Sequence, residues 1–199
     1  MEDSYRGDKF DSKIVQNKPI IYIDNHMFRP DVMIQGFVGD DKVPILCTTI
    51  LNEQSLDLES EDVLSVKNEV ITELSQFGKY GLLFYYGELK ENIDKACLAK
   101  NIYADQDIVK YVNFNNDNEH LNIYKGDPYK KYFVKDISYK NQNELRFIFL
   151  SNRTDKFTPL ITKENDHYIL QIPKLLFYHK FDITEGKALK IKTLSNANE

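Results

Sequence analysis

Beyond residue 105 the chain alternates apolar and polar residues in short runs separated by clusters of turn-forming residues, and this pattern commits the C-terminal half to β-structure. Successive side chains of a strand point to opposite faces, so a period of two buries one face and wets the other. Strands are expected at 108–114, 121–124, 132–135, 144–150, 168–172 and 189–193. Asn115-Asn116-Asp117-Asn118 and Lys163-Glu164-Asn165-Asp166 supply the turn-rich joints. A mainly antiparallel sheet follows for this half.

The first half reads differently. Strands are expected at 18–23, ending in the turn Asp24-Asn25, and at 43–51, after a loop with Gly36, Gly39 and Asp40-Asp41. Val63, Val66, Val70, Ile71, Leu74 and Phe77 recur at helical spacing, which predicts a helix from Ser60 to Phe77. Ser60 suits its N-cap, Glu61 and Asp62 its first turn, and Gly78 its stop. The apolar run Gly81-Leu-Leu-Phe-Tyr-Tyr-Gly87 predicts a central strand buried on both faces. A second helix is expected over 88–100, with Leu89, Ile93, Ala96 and Cys97 on one side. The fold class is therefore α+β: a mixed or mostly antiparallel sheet, two main helices and a β-rich C-terminal half.

With 199 residues, twelve Phe and thirteen Tyr, the chain can bury a core large enough to offset the entropy of folding. A single domain over 1–199 is expected, frayed at 1–10 and 195–199. Cys47 and Cys97 belong to no C-x-x-C pair and read as small buried apolar residues. No basic segment leads into an apolar run at the N-terminus, and no apolar stretch is long enough to span a bilayer, so a cytoplasmic, membrane-free protein is expected. The net charge of −5, with both signs interspersed, does not favour a dedicated nucleic-acid binder.

The most distinctive local pattern is Lys135-x-x-x-Tyr139-x-x-Gln142-x-Glu144-x-Arg146. In an extended segment Gln142, Glu144 and Arg146 share one face while Leu145, Phe147 and Phe149 take the other. Glu144 could then serve as a general base or orient a hydroxyl, with Arg146 holding an anionic group. The same residues fit a solvated strand face with a surface Glu/Arg pair more readily, since such pairs are common and energetically minor. Taken with Phe77-Gly78, the buried strand, the second helix and Val112 in its Val-x-Phe strand, this signature resembles uncharacterised bacterial and phage proteins of the abortive-infection type, over about residues 76–172. The first sixty residues lack the Ser-rich segment of those relatives. The resemblance implies a phage or mobile-element protein acting in defence or counter-defence by binding a host macromolecule. If such proteins share an ADP-ribosyltransferase-like core, it implies instead a nucleotide-using enzyme. Glu144 would then be the catalytic carboxylate, assisted by Gln142 and Arg146, with Arg6 or Arg29 gripping a dinucleotide.

Other patterns carry less chemistry. Glu88-Leu-Lys90 matches the Glu-x-Lys of metal-dependent nucleases, but Glu88 also fits the first turn of a helix. His26, His120, His167 and His179 have no metal-ligand spacing, and no cofactor motif is present. Tyr124 to Phe133 mixes aromatics with Lys125, Lys130 and Lys131, as base-stacking segments do, and as a lysine-protected edge strand would. Candidate binding residues are Lys135, Tyr139, Tyr129 and Tyr132; the expected partner is a host or phage protein, with nucleic acid not favoured. A structural subunit that self-associates is a third reading, and the oligomeric state is open.

Overall fold

The computed structural model describes residues 13–24, 26–35, 43–60, 63–115, 121–124, 127–151, 162–164, 167–183 and 190–192. The chain divides into two compact units, each built from two stretches: Met1–Thr48 with Gln106–Ile148, and Thr49–Asp105 with Phe149–Glu199.

In the first unit β1 (Ile14–Asn17) pairs antiparallel with β4 (Val32–Gln35), and β2 (Ile21–Ile23) with β3 (His26–Phe28). Asp24 turns between β2 and β3 at φ 49°, a left-handed conformation that Asp adopts more readily than most residues. Strand β12 (Glu144–Ser151) is the middle of a three-stranded sheet, with β5 (Ile45–Thr49) and β9 (Ile102–Ile108) at its edges, of which residues 45–48, 106–108 and 144–148 belong to this unit. Cys47 in β5 is exposed and not buried as its residue type suggests. Strand β10 (Lys110–Val112) runs parallel to β11 (Val134–Asp136), and Val112, Phe114 and Val134 form a small core against Ile123 and Tyr124.

Several segments expected as strands here are tight helical turns. Leu121–Tyr124 and Pro128–Phe133 are 3₁₀ helices. In the second, Asp127 accepts a hydrogen bond from the Tyr129 amide and Pro128 takes the first turn, a helix-start signature that outweighs the aromatic content of the run. The lysine-protected edge strand expected there is therefore absent: Lys131 is buried, and Lys130 pairs with Asp107 at 3.0 Å. The expected strand at 108–114 is instead β9 and β10, separated at Val109, whose amide donates to the Glu144 carbonyl.

In the second unit β7 (Val63–Val66) pairs antiparallel with both β6 (Leu56–Ser60) and β16 (Lys190–Lys192). The helix predicted from Ser60 thus begins only at Asn68, as α1 (Asn68–Ser75), with Lys67 at its N-cap. Val63 and Val66 fit a helical period, but β-branched residues suit a pleated surface, and two flanking strands supply ladder bonds that a helix would forfeit. The expected first-turn residues Glu61 and Asp62 lie outside the described residues.

The expected second helix is present as α2 (Tyr86–Lys100), burying Leu89, Ile93, Ala96 and Cys97. Burial pushes the Cys97 thiol up to about 11. Strand β8 (Tyr80–Phe84) is not the central strand its apolar run suggests. It pairs antiparallel with β15 (Tyr178–Asp182) in a two-stranded sheet, and Tyr80 and Leu82 are exposed. Opposite Gly81 lies Phe181, whose ring covers the glycine so closely that a Cβ there would meet its tip at 2.3 Å. Strands β13 (Thr162–Glu164) and β14 (His167–Ile169) form a hairpin.

The protein is α+β with mostly antiparallel pairing. Among the described residues no helix is long and apolar enough to cross a membrane. The expected frayed ends, the loop at Gly36 to Asp41, Asn116 to His120, Lys125 and Asn165-Asp166 all lie outside the described residues, as does Arg6.

Candidate functional site

The residues of the Lys135-to-Arg146 pattern converge inside the first unit. Lys135 stands on β11, which leads into a 3₁₀ helix, Ile137–Gln142, capped by Asp136 through hydrogen bonds from the Ser138 amide at 3.0 Å and hydroxyl at 2.6 Å. Burial works to raise the Asp136 carboxyl, but the hydrogen bonds from Ser138, Phe114 and Ile137 together hold it below the ordinary aspartate range. Asn143 ends this helix at φ 45° and turns the chain into β12. This return places Gln142 and Glu144 on either side of the Lys135 ammonium.

Lys135 Nζ donates to Gln142 Oε1 at 2.7 Å and to Glu144 Oε1 at 2.8 Å, and lies 5.0 Å from the centre of the Tyr139 ring. The other carboxylate oxygen, Glu144 Oε2, accepts from Arg146 Nε at 2.8 Å, while Arg146 Nη1 donates to the Tyr132 carbonyl at 2.7 Å. The Glu144 amide donates to the Tyr111 hydroxyl at 2.9 Å. The expectation that Glu144 and Arg146 share a strand face is met, but the face is no solvated surface: Glu144 is 6% exposed and Arg146 1%. Gln142 joins them from the helical turn and not from the strand.

A buried charge survives only when it is paired and hydrogen-bonded. Burial works to raise the Glu144 carboxyl, but the Arg146 guanidinium and the Lys135 ammonium outweigh it and hold Glu144 below the ordinary glutamate range. Burial also pushes the Tyr111 hydroxyl up to about 12. The carboxylate is thus ionised with an oxygen committed to each cation, an arrangement that fastens β11, the 3₁₀ turn and β12 together. Such a carboxylate is a poor proton acceptor, because a lowered pKa weakens it as a base.

Of the residues singled out as candidate binding groups, Lys135 and Tyr132 are buried, Tyr139 is half-buried and Tyr129 is exposed. Arg29 is exposed beyond β3. Glu88 does sit in the first turn of α2, and it does more than complement the helix dipole: its carboxylate accepts from the Leu176 and Phe177 amides.

That contact leads to a surface the sequence reading did not single out. In the second unit Leu176, Phe177 and Tyr178 are 76%, 64% and 55% exposed, and the Phe177 ring meets Tyr85 edge-on at 6.0 Å. Exposed Tyr80 and Leu82 belong to the adjoining β8–β15 sheet. The available signal was the run Leu175-Leu-Phe-Tyr178 directly after Pro173-Lys174, too short to separate a buried strand from an exposed apolar turn. No protein-family model, no curated protein and no solved structure matches this chain.

Proposed function

We propose that this chain acts by binding a macromolecular partner, a host or phage protein, and not by chemistry at Glu144. The observation that carries the reading is the exposed cluster of Tyr80, Leu82, Tyr85, Phe177 and Tyr178 in the second unit. Aromatic side chains supply large contact area at small entropic cost and dominate binding hot spots. The commitment of both Glu144 oxygens to Lys135 and Arg146 weighs against the nucleotide-using alternative. The resemblance of residues 76–172 to abortive-infection-type proteins supplies the setting: a cytoplasmic phage or mobile-element protein of defence or counter-defence.

A pull-down from native-host lysate tests this, with wild-type and Glu144→Gln protein side by side and circular dichroism confirming that both are folded. The expected result is one stoichiometric partner held by both. Covalent modification of lysate components by the wild type alone, with no stable partner, would return Glu144 to a catalytic role.

A further inference from the structure

The segment from Pro173 to Tyr178 is held by its backbone and, apart from half-buried Leu175, shows its side chains to solvent. Asn92 Nδ2 on α2 donates to the Pro173 carbonyl at 3.3 Å, and one turn earlier on the same helix Glu88 accepts from the amides of Leu176 and Phe177. Tyr85, preceding the helix, braces the Phe177 ring. Residues 85, 88 and 92 follow helical spacing, so one edge of α2 grips the segment along its length. Such an arrangement fixes the backbone without consuming the apolar side chains, and a loop ordered in advance loses less entropy on binding.

The segment itself is basic: from Pro173 to Phe181 the sequence contains Lys174, His179 and Lys180 and no carboxylate, and Asp182, which follows in β15, is paired with Lys79 at 3.3 Å. Lys174 and Lys180 are exposed, the Lys180 ammonium resting 4.6 Å from the centre of the Tyr80 ring, and the Glu88 carboxylate beneath the segment is turned to its amides.

Resting on the binding reading above, we propose that Leu176, Phe177 and Tyr178 form a pre-organised docking surface for a protein segment that combines apolar side chains with carboxylates. The apolar residues of the partner meet the Leu176-Phe177-Tyr178 projection, and its carboxylates meet Lys174 and Lys180. Glu88 is a positioning residue that holds the surface in shape.

The probe is a displayed library of random twelve-residue peptides, panned against the full chain. The expected result is enrichment of peptides containing Leu, Ile or Phe with two or more Asp or Glu. Binding of an enriched peptide should fall at least tenfold in Phe177→Asp and, independently, in Leu176→Asp. Lys174→Glu combined with Lys180→Glu should abolish the acidic preference. Glu88→Ala should weaken binding severalfold and speed amide exchange at Leu176 and Phe177, with partial rescue by Glu88→Gln, which keeps a carbonyl acceptor.

Enriched peptides without acidic bias, or bound equally by Phe177→Asp and Leu176→Asp, would overturn the proposal. So would binding to 3:1 phosphatidylcholine:phosphatidylserine vesicles in place of peptides, or self-association that Phe177→Asp abolishes. If a lysate partner is captured undiminished by Phe177→Asp, the surface is wrong and the binding reading stands. If neither lysate nor library yields a partner, the binding reading itself fails.

Discussion

In strand β12 every side chain from Glu144 to Phe149 is buried, whereas in strand β8 Tyr80 and Leu82 stand in solvent, although β12 carries two charges and β8 none. Strand β12 has a strand on each side, and among the described residues β8 has only β15. Hydrophobicity alone does not decide burial, and neither does the number of paired strands, since among the described residues β11 has only β10 beside it and still buries Val134 and Lys135. Charges can occupy a central strand when their partners arrive with them, as Lys135 and Arg146 do for Glu144. An apolar strand on a narrow sheet keeps part of its surface wet, and that exposed apolar surface is what a partner can cover.

The sharpest way to break this comparison is to remove one member of the buried network. Arg146→Ala leaves Glu144 with half its compensation, and the expected loss of stability is about 3–5 kcal/mol in urea unfolding. Replacing Lys135, Gln142, Glu144 and Arg146 together by apolar residues of similar size should recover more than half of that loss. A quadruple variant no more stable than Arg146→Ala would mean that the network contributes more than mutual compensation.

Acid reaches the same network. Because the folded Glu144 carboxyl lies below its ordinary range, its contribution is fully present above the unfolded value and is lost as pH falls through the folded one. Stability measured by urea unfolding should therefore decline from the ordinary glutamate range downward, and the decline should be shallower in the quadruple variant. Equal slopes would show that Glu144 is not the group responsible.

On the β8 side the most sensitive position is Gly81. Gly81→Ala drives a methyl into the Phe181 ring and should cost about 1–3 kcal/mol. Adding Phe181→Ala should make the pair less destabilising than the sum of the singles, a coupling that a double-mutant cycle reads directly. The smallest effect belongs to Leu82→Ser, expected to change stability by no more than about 0.5 kcal/mol because the side chain is already 49% exposed. A loss near that of a core truncation, roughly 2–5 kcal/mol, would mean that Leu82 is covered in solution.

Local signals were legible where one short-range rule dominated. Helix α2 follows from the spacing of Leu89, Ile93, Ala96 and Cys97, and β12 from the alternation after Asn143. The helix predicted from Ser60 failed in its first half because Val63 to Val66 satisfies two periods at once, and pairing with β6 and β16 chose between them. The candidate cluster was legible as a set of residues, since Lys135, Gln142, Glu144 and Arg146 lie within twelve positions of one another. Whether they faced water was not, because that depends on what packs over the charged face of β12, where Arg146 meets the Tyr132 carbonyl and Lys135 meets Glu144.

The exposed Leu176-Phe177-Tyr178 projection was illegible for the same reason: its conformation is fixed by Glu88 and Asn92, more than eighty residues away. The sequence by itself determined the α+β class, helix α2, strand β12 and the residues that meet around Lys135, because each follows from periodicity or near neighbours. Only the tertiary structure decided that the charges go inside and that part of the aromatic surface stays outside. Burial is a property of what packs on a segment, and those partners are remote in the chain.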